Sequence, residues 1–296
     1  MRKNLILGLL VFSVMVLIVS VATPDLNAKP LKAKGVKHRT VTIPKHAIEV
    51  VPGKAFWLGT AKDKGRLVEG YAIIHHKKGF AKPTGCNNDG KCQGWEDQSC
   101  EDCSNGGGGT ETSNCFSFLA KGAKWKTVED YIVDPTNSRR LNAQGIRNNL
   151  ASDIAKWENA AFFNIIGERV SGTVDGADLI SPDDKNEVFF GNVDSPGAIA
   201  VTVVWGIFRG PPRGRELVEW DQVYDDKDFD WSLSGEAGKM DFENIATHEL
   251  GHTFGLDDLF TEGCSEETMY GFAALGETNK RILGNGDSAG VFELYN

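Results

Sequence analysis

His248-Glu249-Leu250-Gly251-His252-Thr253-Phe254-Gly255-Leu256-Asp257-Asp258 is the stretch from which the rest of the chain is read. On a helix, residues four apart share a face, so His248 and His252 can aim both imidazoles at one ion. Glu249 follows the first imidazole directly, where a carboxylate reaches a water on the ion without ligating it. Glycine adopts left-handed backbone cheaply, so Gly255 marks where the helix stops and the chain turns back. That reversal offers Asp258, ten residues after His248, as a third ligand. Two imidazoles, one carboxylate and an open fourth position describe a catalytic zinc rather than a structural one.

Working outward, Asp241 is placed to cap the helix that carries this motif, with Ile245, Leu250, Phe254 and Leu256 as its buried contacts. Upstream, Tyr131–Val133, Glu187–Phe190, Ala198–Trp205 and Leu217–Tyr224 read as strands. Ile146, Leu150, Ile154, Trp157 and Ala161 recur at three- and four-residue steps, the mark of an amphipathic helix on a sheet. Downstream, Asp287 is placed to cap a last helix. The fold class is α+β, a twisted mixed sheet with about three helices and the zinc helix at its cleft.

The motif also carries a family resemblance. With Glu267-Thr268-Met269-Tyr270-Gly271-Phe272 as a methionine turn and Leu283–Val291 as the opening of a last helix, it resembles the metzincin metallopeptidases, matrixin branch. The resemblance spans roughly residues 125–296 and is strongest at the zinc motif. It implies a zincin catalytic domain over 116–296, one catalytic zinc on His248, His252 and Asp258, Glu249 as general base, and Met269 as the zinc floor. Most of the family has a histidine where Asp258 stands. The resemblance further implies a substrate edge among the strands before the zinc helix. Ala198, Ile199, Ala200 and Val201 are its candidates, and a buried apolar strand is the plainer reading. Cleavage of internal peptide bonds in protein or peptide substrates is the implied activity. A secreted binding module on the same scaffold and an amidase acting on cell-wall peptides are the alternatives.

Ahead of that region the chain changes character. Met1-Arg2-Lys3 followed by an apolar run to Ala22 reads as a secretory signal over residues 1–22. Left uncleaved, it would be a membrane anchor, and either way the rest lies outside the cytoplasm. Residues 23–85 form a basic pro- or accessory segment, β-rich at Ala55–Leu58 and Val68–Ile74 with a hairpin turn at Lys62–Gly65. His75 and His76 close the second run and read as a polar strand end, because neighbours on a strand face opposite sides.

Residues 86–115 hold Cys86, Cys92, Cys100, Cys103 and Cys115, and end in a glycine run at 106–109 that reads as a linker. With Cys264 they make six cysteines, an even count that suits disulfides in an exported chain. The connectivity stays open; a bridge from Cys264, with Cys115 as one candidate partner, would tie down the loop before the methionine turn. Calcium has two candidate stretches, one from Asn87 to Asp97 and one from Asp221 to Asp230. A disulfide-braced turn and a solvated loop are the preferred readings of these.

Charge splits the chain. Residues 23–91 carry 14 Lys/Arg against 5 Asp/Glu, and residues 92–296 carry 16 against 36. Such an acidic domain argues against nucleic acid as a partner. The basic segment can lie across it as an inhibitory arm, or the acidity serves solubility alone.

Overall fold

The computed structural model describes residues 39–80 and 115–296. The signal-like start, most of the basic leader, Cys86, Cys92, Cys100, Cys103, the glycine run and the calcium candidate at 87–97 lie outside them. All the described residues belong to a single compact unit.

The N-terminal part is a meander of β2 (Ile48–Val51), β3 (Ala55–Asp63) and β4 (Arg66–Lys77), after a short β1 (Thr40–Val41). Strands β3 and β4 are joined by Lys64 and Gly65, with φ of 46° and 83°. Positive φ at both central residues is the two-residue turn whose twist matches that of the strands it connects. Next come β5 (Glu129–Asp134), α1 (Ala143–Ala161), β6 (Ile166–Val170), β7 (Asn186–Val193), β8 (Ala198–Ile207) and β9 (Glu216–Asp225). Short β10 (Trp231–Ser232) and β11 (Met240–Asp241) precede α2 (Phe242–Thr253). Strand β12 (Phe272–Ala273) and α3 (Asn285–Tyr295) complete the chain.

Most of these strands share one ten-stranded mixed sheet, whose main path runs β2-β3-β4-β8-β9-β7-β5-β6. Two expectations fail here. The β-rich segment does not stand apart as its own unit. Its last strand, β4, pairs antiparallel with β8 through eight registered residue pairs, from Glu69 opposite Gly206 to His76 opposite Ala198. Consequently Ala198–Val201 is not on an edge: β4 flanks β8 on one side and antiparallel β9 on the other. The sequence concealed this because a strand flanked on both sides and a strand at an edge can share the same apolar run.

The middle of the sheet is buried on both faces. On one, Trp157, Trp220, Tyr224, Phe242, Leu250, Phe254, Val291 and Leu294 form the core between the sheet and the three helices. On the other, Leu58, Val68, Ala72, Ile74, Val201, Val203 and Trp205 pack together with Val174 of the 171–185 loop. Helix α1 starts at Asn142, whose side chain accepts from Gly145 N at 2.8 Å. It is tied to α2 by Trp157 Nε1, which donates to Thr247 O at 2.8 Å. Asp221 and Asp225, expected in a solvated loop, lie buried in β9. Their carboxylates accept backbone N–H groups, Glu187 N and Asp178 N at Asp221, Val193 N and Asp228 N at Asp225. That is how a folded chain satisfies buried acids without water.

Candidate metal centre

Helix α2 presents His248 and His252 because its start and its end are both fixed. Asp241 is the N-cap and accepts from Asn244 N at 3.0 Å, while both of its oxygens hold the Arg281 guanidinium at 2.7 Å. At the other end Gly255 has φ of +103°, and a Cβ there would meet Ala123 O at 2.8 Å. The reversal after Gly255 brings Asp258 back over the helix. Its Oδ1 lies 3.2 Å from His248 Nε2 and 3.6 Å from His252 Nε2, all three side chains being buried.

The donor set fits zinc. His248 Nδ1 donates to Thr268 O at 2.7 Å and His252 Nδ1 to Leu256 O at 3.0 Å. Those bonds place the proton of each neutral ring on Nδ1 and leave an Nε2 lone pair facing the centre. His248 Nε2, His252 Nε2 and both oxygens of Asp258 are buried without a hydrogen-bond partner. Buried polar atoms are seldom orphaned unless something else satisfies them. Tetrahedral ligands ~2.0–2.1 Å from zinc stand roughly 3.3 Å from one another, the spacing seen here. Burial would push the Asp258 carboxyl up, but the His248 contact, both imidazoles and Lys54 hold it down at about 2, so it is an anion ready to ligate. Burial lowers His252, which favours the neutral ring.

Glu249 turns away from this trio to the sheet. Its Oε2 accepts from Thr202 Oγ1 on β8 at 2.6 Å, and its Oε1 lies 3.1 Å from His75 Nδ1 on β4. Burial pushes its carboxyl up to about 7. Beneath the helix, Met269 lies against Gly251, and a Cβ at that glycine would collide with Met269 Sδ. The turn carrying Met269 is itself held by Asp287 of α3, which accepts from Thr268 N at 2.6 Å and Met269 N at 3.1 Å. Asp287 also accepts from Gly284 N, so one carboxylate both caps α3 and fixes the turn. Cys115 and Cys264 are joined by a disulfide across 149 residues.

Four residues here escaped the sequence reading. His75 is no polar strand end: it is fully buried, its ring 3.8 Å from that of His248. His76 is buried as well, stacked on Phe80, and burial lowers it to about 4. A register shift between His75 and His76 disrupts the alternation on which the sequence argument relied. Thr202 lies within the quoted strand, but only the tertiary pairing shows which way it points. Lys54 is buried, donates to Gly271 O at 2.6 Å and rests 3.9 Å from the Phe272 ring. Burial lowers it to about 8, against the pull of Asp258 and Glu249. A second carboxylate group, Asp178, Asp183 and Glu219, gathers away from the motif.

Comparison with known protein families matches residues 215–296 to the matrixin peptidase model. The matched part runs from β9 through α2 and the turn carrying Met269 to α3, and leaves β4 and β8 outside. No curated protein matches the chain.

Proposed function

We propose that the protein is an exported, zinc-dependent endopeptidase of the matrixin kind. The observation that carries the reading is the convergence of two orphaned Nε2 lone pairs and an anionic Asp258 on one buried point. Family matching over residues 215–296 supports a peptidase with protein or peptide substrates. The apolar start supports export, and none of the described helices is long and apolar enough to cross a membrane.

When bound, zinc polarises the scissile carbonyl and acidifies the attacking water. His248, His252 and Asp258 would hold the ion, and the Thr268 and Leu256 carbonyls lock the two rings in the ligating tautomer. Glu249 takes the proton from water as the hydroxyl adds to the carbonyl carbon. It then returns that proton to the amine as the C–N bond breaks, so water is divided between the two products. Thr202 holds the Glu249 carboxylate on the sheet side. Asp258 would bring a negative charge to the site where a third imidazole would be neutral.

The test is metal content together with hydrolysis of a generic protein substrate, by the chain intact and cut between residues 80 and 115. One zinc per chain is expected, with activity abolished by a chelator and restored by zinc. Glu249→Gln should keep the zinc and lose roughly 10²- to 10⁴-fold in rate. Near-normal turnover in that variant would remove Glu249 from the reaction, and properly folded chain without a transition metal would remove the whole reading.

A further inference from the structure

Strand β6 ends the main path of the sheet. It pairs in parallel with β5 on one side, and among the described residues no strand lies on the other. A row of unpaired backbone groups of this kind is a template for an added strand. Between this edge and α1 the surface opens into a cavity of about 360 Å³. Tyr131 lines it from β5, Gly167 and Arg169 from β6, and Gln144, Arg147 and Asn148 from α1. No proposed zinc ligand and no partner of Glu249 lines it.

Two arginines at this cavity lack what other arginines of the chain possess. Arg39, Arg66, Arg139, Arg209 and Arg281 each hold a carboxylate at 3.0 Å or less. Arg147 and Arg169 hold none among the described residues, although the domain around them is strongly acidic. Arg147 Nε is moreover buried with no hydrogen-bond partner, a cost that folded chains seldom leave unmet. The two carboxylates at the cavity do not meet it. Glu158 Oε1 accepts from Ile165 N at 2.7 Å and Ile166 N at 2.9 Å, and Glu168 is exposed and pairs with neither arginine. Gln144 Nε2 donates to Asn148 Oδ1 at 2.7 Å, which leaves the Asn148 NH2 group as a further donor. A guanidinium is a planar fork whose geometry matches a carboxylate. The unmet demand is therefore for an anion with two oxygens.

We infer that the groove between α1 and β6 docks an extended acidic peptide segment, whose backbone adds to the free edge of β6 while a carboxylate side chain enters the cavity to meet Arg147 and Arg169. Residues two apart on the added strand share a face, so an acid at every second position fits the site. Binding here needs neither zinc nor Glu249, and the inference stands apart from the peptidase reading. Where that reading holds, the docked segment belongs to a substrate, gripped away from the bond that is cut.

The test titrates fluorescein-labelled peptides, alternating Val and Glu or Val and Gln, against the full-length Glu249→Gln chain, in which the probe stays whole. Anisotropy is read at 0.15 M salt, where repulsion from the acidic domain is screened beyond about 8 Å. The Val-Glu peptide should bind roughly tenfold tighter or more than its Val-Gln counterpart. Arg147→Gln combined with Arg169→Gln should erase that difference. Arg147→Lys with Arg169→Lys keeps the charge but loses the fork, so it should retain part of the preference and serves where the first pair fails to fold. Amide exchange over Ile166–Val170 should slow when the peptide binds. Equal affinity for the two peptides, or an acid preference that survives in a folded double variant, would overturn the site. Unchanged exchange in β6 would overturn the added strand. Inorganic phosphate that displaces the Val-Glu peptide as well as unlabelled peptide does would make the cavity a small-anion site and overturn the peptide as its occupant.

Discussion

Asp153 lies on the buried face of α1, at a position where three- and four-residue spacing calls for an apolar side chain. Burial pushes its carboxyl up to about 7, although Lys156, 2.7 Å away, pulls it back. The folded state thus favours the protonated acid. Its contribution to stability is complete below the ordinary carboxylate range near 4 and is lost as pH rises through about 7. Relative to Asp153→Asn, the native chain should lose on the order of a few kcal/mol of unfolding free energy between those limits. Urea titrations of both proteins across pH measure the difference directly, and parallel curves would refute it. The convergence of the proposed ligands His248, His252 and Asp258 was legible at this scale because their spacing is chemistry. His75 was not, since nothing local distinguishes a histidine ending a strand from one facing Glu249, 174 residues away.

Helix α2 shows how an element can invert a general rule. Alanine in place of a glycine inside a helix ordinarily stabilises by roughly 0.5–1 kcal/mol. Gly251 lies one residue before His252, and a Cβ there would collide with Met269 Sδ and press on Trp157 at 3.0 Å. Gly251→Ala should therefore destabilise, by about 1–3 kcal/mol for an overpacked core, and weaken zinc binding through the shifted helix. Adding Met269→Ala should recover part of both losses. Thermal melts and zinc titrations of the single and double variants decide it, and a single variant more stable than the native chain would sink the argument. The helix start at Asp241 and its end near Gly255 were readable locally, because capping and left-handed backbone depend on single residue types. The role of Gly251 was not, since it depends on a methionine eighteen residues away.

At the scale of the molecule, the Cys115–Cys264 bond closes a loop with a sequence separation of 149. In the chain-entropy account, a loop of that length is worth up to about 5 kcal/mol. Replacing both cysteines by serine should lower the melting temperature and free the segment between Asp258 and Met269. Zinc affinity should fall with it, because Cys264 lies on the stretch that joins the third ligand to the turn holding His248. A double variant with unchanged melting temperature and zinc affinity would show that the buried core alone holds this segment.

Sequence alone determined what is encoded in short spacing: the helix with His248, Glu249 and His252 on it, the return to Asp258, the α1 stripe, the caps at Asp241 and Asp287, and a turn within Lys62–Gly65. Each depends on helical or strand period, or on a residue's own backbone preference, and these act within about ten residues. Tertiary structure alone decided that β8 is paired with β4 on one side and β9 on the other, and that His75, Thr202 and Lys54 lie close to Glu249 and the proposed ligands. Strand partners are chosen by burying apolar faces against segments over a hundred residues apart, and that choice leaves no periodic trace in either strand.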